Sequence, residues 1–352
     1  MSGTSMPVVK KVTFIIGNGF DLGLGMKTSY LDMYDGYVSS ASSSLIISVF
    51  KEMLSKCNYK LWSDFEIGLS THAKQFAAEE QLVECVRDFK KYLVSYLTKQ
   101  EQTLIEKANV LGADMLRILA QSMQESLEGF FSGLTPNAQN KINERLGESR
   151  IEYNFIVFNY TKSLEFLLQK WAVYCKRSQP NVLHIHGSLD GDVVLGVNDL
   201  GQLETTFALS SRGERSLIKP IFNNAFDNQR LQRAKDMISQ SDVICTYGFA
   251  MGATDQLWVD EIAQWLGANN GHHLVAFQYD TAEYSPCNPD EKMDAEEDRC
   301  LNLLSRLGLS AEEQILDQLH IPIGHDIFNF PLDRVVTKKA TLPNEPLVAG
   351  VI

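Results

Sequence analysis

Four short stretches set polar or titratable side chains beside a glycine or at the start of a helix. They are Gly17-Asn18-Gly19-Phe20-Asp21, Phe158-Asn159-Tyr160-Thr161, His184-Ile185-His186-Gly187, and the run from Tyr247-Gly248 to Thr254-Asp255. Glycine lacks a Cβ, so Gly17, Asn18, Gly19 and Phe20 read in one of two ways. Either their backbone approaches a phosphate or ribose, or they form a plain strand-to-helix turn. The dinucleotide spacing G-x-G-x-x-G is not met, because position 22 is leucine. Asp21 either accepts backbone hydrogen bonds in that turn or brings a charge to a ligand.

His186, next to Gly187, has the chemistry of a general base, since a free imidazole titrates at ~6.5. A hydrogen-bonded structural histidine is the plainer reading. His184 falls on the same strand face, which raises a metal site with an acid such as Asp21 or with His325-Asp326. No spacing demands one, and no metal is expected. Capping alone explains Asn159 and Thr161. Asp255 is either a first-turn acid behind a Thr254 cap or a carboxylate aimed at a ribose or reacting centre. A capping box with Ser63 accounts for Glu66 beside Trp62.

The elements that would position these groups alternate in type. Val12–Ile16 reads as a buried strand. From about residue 42 to 147 no strand is evident, and Leu82, Cys85, Val86, Phe89, Tyr92, Leu93, Tyr96 and Leu97 recur at helical spacing within Glu79–Gln100. Thr28 or Ser29 can cap a short helix, and Thr135-Pro136 marks another start. After Tyr153 come strands over 155–158, 182–186, 193–197, 243–247 and 274–277, with helices over 160–175, 231–239 and 256–266. The acidic stretch 281–298 reads as a surface loop. Such alternation predicts an α/β fold with a Rossmann-like parallel sheet and a large helical insertion after the first strand. Residues 7–39 with 149–340 would make one discontinuous nucleotide-binding domain, and 40–148 the insertion. Ligands of doubly wound sheets bind beyond the carboxyl ends of the strands, where the four stretches fall.

Composition narrows the partners. A net charge of −12 over 352 residues disfavours sequence-independent nucleic-acid binding, which needs dense basic charge. No apolar run nears the roughly 20 residues of a membrane span, and a secretion signal is not evident, so a cytoplasmic protein is expected. Six cysteines without a C-x-x-C pair fit reduced thiols rather than a zinc ribbon or a disulfide framework.

Seven segments in order, IIGNGFD, LGMKTSYLDM, WSDFE, FNYTKSLE, HIHGSLD, LGVND and YGFAMGATDQLW, resemble the AbiH family of bacterial abortive-infection proteins over residues 12 to about 260. That family in turn resembles sirtuins and sirtuin-like NAD-consuming effectors. The resemblance implies a sirtuin-like sheet in which Gly17-Asn18-Gly19, Asn159 and His186-Gly187 match the glycine turn, the asparagine element and the His-Gly. Gly248 through Asp255 would line the ribose or adenosine side. The chain lacks the four-cysteine zinc module of deacetylating sirtuins, and Thr161 stands where related effectors often carry an acid. The implied function is anti-phage defence by binding NAD or a related nucleotide and hydrolysing its N-glycosidic bond. His186 would be the base, Asn159 would orient ribose and water, and Asp21 or Asp255 would stabilise positive charge on the sugar. NAD would be substrate or ligand, with no further cofactor required. A phage trigger or partner protein, and self-association, stay open. Two alternatives stand beside this reading: a non-catalytic nucleotide sensor and a metal-dependent hydrolase or nuclease.

Overall fold

The computed structural model describes residues 8–57, 65–66, 68–69, 72–110, 112–226, 229–279, 282, 287, 289–323, 327–330 and 332. Six strands form one sheet: β1 (Val9–Ile16), β2 (Arg150–Val157), β3 (Asn181–His184), β4 (Val243–Tyr247), β5 (His273–Ala276) and β6 (Leu319–His320). Their order is β3-β2-β1-β4-β5-β6 and every pairing is parallel. Winding therefore runs from β1 outward through β2 and β3, then restarts on the other side of β1 with β4. That reversal leaves a crevice at the carboxyl ends of β1 and β4.

Residues 12–16 of β1 are fully buried because both faces of the sheet are covered. Val12, Phe14 and Ile16 face one core with Phe155, Val157 and Cys245. Ile15 faces the other, with Ile156, Ile244, Trp258 and Ile262. A central strand buried on two sides reads as a continuous apolar run, which is why it was legible.

Between β1 and β2 lie α1 (Gly19–Gly23), α2 (Tyr30–Ser39), α3 (Leu45–Ser55), α4 (Glu79–Val110), α5 (Gly112–Glu128) and α6 (Pro136–Leu146). Ser29 caps α2 in a full capping box with Asp32, and Thr135 caps α6 ahead of Pro136. The helix expected over 79–100 continues to Val110. The remaining helices are α7 (Ser163–Tyr174), α8 (Ser211–Leu217), α9 (Lys219–Phe226), α10 (Arg230–Ser239), α11 (Gln256–Ala268), α12 (Pro289–Leu307) and α13 (Glu313–Gln318).

Three expectations are corrected. Residues 193–197 form no strand: only isolated bridges, Gly187 to Val193 and Val197 to Ile218, occur there. Their apolar pattern has another cause, because Leu195 and Val197 pack with Tyr30, Phe50, Phe65 and Phe89 in a third core centred on the helices before β2. The acidic stretch is helical from Pro289 onward, its charges lying on the outer face of α12. The helix expected from Tyr160 starts at Ser163, with Lys162 as its N-cap and no side-chain cap bond. Asn159 and Thr161 are thus not caps. Trp62, Ser63, His325 and Asp326 lie outside the described residues.

Candidate functional site

The crevice holds a cavity of about 310 Å³, at the lower end of the roughly 300–1,000 Å³ of small-molecule sites. Gly17, Asn18, Gly19 and Asp21 line it from the β1 turn, and Asn159, Tyr160 and Thr161 line it from beyond β2. His186 arrives from beyond β3, and Gly248, Phe249, Ala250, Gly252, Thr254 and Asp255 from beyond β4. Tyr30, Glu66 and Leu97 close it from the helices before β2, and Lys219 from the first position of α9. Two residues expected to bind ligand lie elsewhere. Phe20 is buried in the core beneath, edge-on to Phe328 and Tyr247. Gly187, with φ of +75°, makes the turn after His186, where a Cβ would fall 1.6 Å from the Asp192 carbonyl oxygen.

The glycines of the first turn serve the protein before any ligand. Gly17 N donates to Tyr247 O at 2.9 Å, Gly19 N to Gly248 O at 3.1 Å, and Phe20 N to Gly17 O at 3.0 Å. These amides are spent and cannot cradle a phosphate. A Cβ on Gly17 would lie 2.3 Å from Gly248 O, and one on Gly19 would lie 2.5 Å from Gly248 Cα. Gly248 itself sits at φ of +61°. The two turns are therefore locked face to face. Gly17→Ala is expected to cost about 1–3 kcal/mol or more by forcing them apart, read as a fall in melting temperature. Asn18 also works internally: its Nδ2 donates to Thr28 O at 3.0 Å, and Thr28 Oγ1 donates to its Oδ1 at 2.8 Å.

One wall is a chain of charges. Lys219 Nζ is 2.8 Å from Glu66 Oε2 and 3.3 Å from Asp255 Oδ1, and donates to Thr254 O at 3.3 Å. Asp255 Oδ1 is 3.2 Å from His186 Nε2. All four side chains are largely buried. Burial pushes Asp255 up, but Lys219 and His186 outweigh it and hold the carboxyl at about 2. Burial likewise lowers Lys219, and the two carboxylates outweigh it and leave the ammonium above its usual value. Asp255 does not act as a helix-cap acid; its side chain makes no capping bond. A carboxylate only accepts, so His186 Nε2 is the donor to Asp255, and in the neutral ring the lone pair is on Nδ1. That pairing is the orienter–base arrangement of a general base.

A second carboxylate in the lining is Asp21, 1% exposed. Ser163 Oγ donates to its Oδ1 at 2.5 Å and Thr161 Oγ1 to its Oδ2 at 2.6 Å. The Asn159 side chain also bonds it. Burial raises the Asp21 carboxyl, and these three bonds only partly offset it, leaving it at about 6. Asn159 is itself buried, and among the described residues its Oδ1 has no hydrogen-bond partner. Such an orphaned acceptor in a cavity wall suits a ligand hydroxyl.

Because the folded-state value of Asp21 lies above its ordinary 3.8, the group costs nothing below that value and destabilises the fold as pH rises through about 6. Asp21→Asn is therefore expected to stabilise the protein by up to about 3 kcal/mol near pH ~8 and to be almost neutral near pH ~4. Chemical denaturation at the two pH values checks this.

His184 is turned to other work. Its Nδ1 is 2.8 Å from Asn159 O and its Nε2 2.5 Å from Glu165 Oε1, tying β3 to α7 and to the Asn159 backbone. It does not line the cavity, so the two histidines do not converge on one ion. Among the described residues no group of three His, Cys, Asp or Glu is placed to hold a metal.

Sequence reasoning missed Lys219 and explained Glu66 and Ser163 away or passed over them. Lys219 did leave a signal, a lone cation inside the apolar run Leu217-Ile218-Lys219-Pro220-Ile221-Phe222, where a charge must find a buried partner. Glu66 sits on a residue run only partly described, and its partner is 153 positions away.

A six-stranded parallel sheet in the 3-2-1-4-5-6 order, with its polar cavity at the switch point, defines an α/β protein of the Rossmann-like class. The family model for bacteriophage abortive infection AbiH matches residues 13–277, more than half of the chain. The chain belongs to the AbiH family, which gives it a role in abortive infection against phage. No curated protein matches it significantly. No helix among the described residues is long and apolar enough to cross a membrane.

Proposed function

We propose that this protein binds NAD or a related nucleotide in the switch-point cavity and hydrolyses its N-glycosidic bond during abortive infection. The observation that carries the reading is the pairing of His186 with Asp255 in the lining of the same cavity as the buried Asp21–Asn159 pair. His186 Nδ1 takes a proton from the attacking water or from a ribose hydroxyl. The bond between ribose C1 and the pyridinium nitrogen breaks, its electrons return to the ring, and neutral nicotinamide leaves. Positive charge grows on the sugar in that step, and Asp21, ionised above about 6, offsets it. Asn159 Oδ1 accepts from a ribose hydroxyl and fixes the face that water attacks. Water adds to C1, giving ADP-ribose and one proton.

The spent amides of the β1 turn direct the expectation toward sugar and base recognition rather than a phosphate cradle. Incubation with NAD and chromatographic analysis of products tests the activity. Nicotinamide release is expected from preparations taken from phage-infected cells, and its absence there rejects the proposal. A second reading has its own support: Tyr30, Glu66 and Leu97 carry the cavity wall into the helical core, as a ligand sensor would require. Retention of NAD without turnover, undisturbed by His186→Ala, would favour that reading.

A further inference from the structure

His184 stands outside the cavity lining, yet it grips a residue that belongs to it. The sheet register sets it beside Val157 at the carboxyl ends of β3 and β2, with Asn159 two residues further on. Its Nδ1 lies 2.8 Å from Asn159 O, and its Nε2 lies 2.5 Å from Oε1 of Glu165 in the first turn of α7. A carbonyl oxygen only accepts, and so does a carboxylate. An imidazole holds its proton to ~6.5 and a glutamate only to ~4.3, so the proton between them belongs to the ring. Both ring nitrogens must carry hydrogen for the two contacts to be bonds, whereas a neutral imidazole has one to give.

The surroundings favour the charge. Glu165 Oε2 is buried with no hydrogen-bond partner among the described residues, so this carboxylate leans on His184 as its bonded cation. The charged groups facing the ring are Glu165 and Lys162, both at the start of α7, and Lys162 is itself bonded to Asp190. Burial opposes the imidazolium and Lys162 adds to that, but the Glu165 and Asn159 bonds outweigh both and raise the His184 pKa above its ordinary value. The residue gripped is the one whose side chain bonds Asp21 and whose Oδ1 is open in the cavity lining.

We propose that His184 is a positioning residue, an imidazolium whose two N–H groups pin the Asn159 peptide to Glu165 and so aim the Asn159 side chain at the ribose. The consequence for catalysis rests on the N-glycosidic reading above; the charge on the ring does not. Loss of the proton leaves one N–H, and the carboxylate, as the charged acceptor, keeps it on Nε2. The Nδ1 lone pair then faces Asn159 O at 2.8 Å, and the peptide turns away. Because the folded-state pKa is raised, the stability this bonding contributes is complete below ~6.5 and is lost as pH rises through the folded-state value. Asn159 is aimed on the acid side of that value and released on the alkaline side.

NMR on the full chain, isotope-labelled at histidine and asparagine, tests the charge, with His184→Gln and Asn159→Ser locating the two signals. At pH ~7, where most free imidazole is neutral, both His184 nitrogens are expected in the protonated form. One unprotonated nitrogen there overturns the assignment. As pH rises, the Asn159 side-chain amide signal should move at the same midpoint as the ring. Asp21 adds its own step at about 6, and Glu165→Gln separates the two: it should lower the His184 midpoint and carry that Asn159 step with it, leaving the Asp21 step in place. An Asn159 signal that ignores the ring midpoint in both proteins overturns the positioning role. Cleavage gives a second readout. The ratio of wild-type to Glu165→Gln rates on NAD should be near unity at acid pH and rise to roughly tenfold or more above the variant's midpoint, since misplacement beside the chemistry is costly. A flat ratio overturns the role. A wild-type protein from infected cells that releases no nicotinamide rejects the reading of the cavity instead, while the NMR titration still decides the charge of His184 and its coupling to Asn159.

Discussion

On the proposed reading, His186→Ala is expected to lower the rate of NAD cleavage by roughly 10²–10⁴-fold while the protein stays folded, because its imidazole would be the positioned proton acceptor. Its ring is edge-on to Phe158 at 5.2 Å and tilted over Tyr160 at 6.2 Å, contacts whose loss leaves both neighbours in place. Asp255 keeps Lys219 after the substitution, so no charge is stranded. Asp255→Asn should approach the same loss by another route. The amide no longer demands an N–H on Nε2, and the lone pair then has no fixed direction. Product analysis against NAD, with melting temperature as the folding control, separates the two effects. A His186→Ala protein that cleaves NAD at the wild-type rate removes the base from this residue.

Lys219→Met carries the largest expected effect on stability, about 3–5 kcal/mol, since it leaves two buried carboxylates without their cation. Among the described residues Glu66 would retain the amide of Gly196, 3.3 Å away, and the field of Lys90, and Asp255 would retain His186. Methionine matches the length of the lysine stem, so packing is not the cause. The pH dependence gives a second check. In the wild-type protein Asp255 is held at about 2, below its ordinary 3.8, so it contributes stability above 3.8 that is lost as pH falls toward 2. Without Lys219 that contribution is absent, and the gap between the two proteins should narrow as the solution is acidified through this window. Urea titrations across it would show the convergence. A gap that stays constant would mean that Asp255 owes its depressed value to His186 alone.

How much of this was legible in the sequence follows from what each signal depends on. The strands β1, β2 and β4 could be read because burial on both faces leaves runs that are mostly apolar, and their ends could be read because polar residues follow at once. β6, two residues long, offered no pattern. The run 193–197 misled for a physical reason: Leu195 and Val197 are apolar because a helical core covers them, and alternation alone does not reveal which partner does the covering. At the site, Asp21, Asn159, His186 and Asp255 were all singled out from their places after strands, and the structure brings them around one cavity. The reading of Asn159 as a cap was mistaken because capping is a one-turn argument, and Asp21, read as bonding its own turn, instead bonds side chains 140 and 142 positions away. Lys219 and Glu66 were missed for the same reason, as an ion pair has no local grammar.

The wide separation of those partners also sets an order of events during synthesis. Glu66 leaves the ribosome 153 residues ahead of Lys219, and Asp255 follows 36 later still. Until that last carboxylate emerges, His186 has nothing to fix its proton and the cavity lacks a wall. On the proposed reading, a nascent or prematurely terminated chain would therefore lack the assembled site.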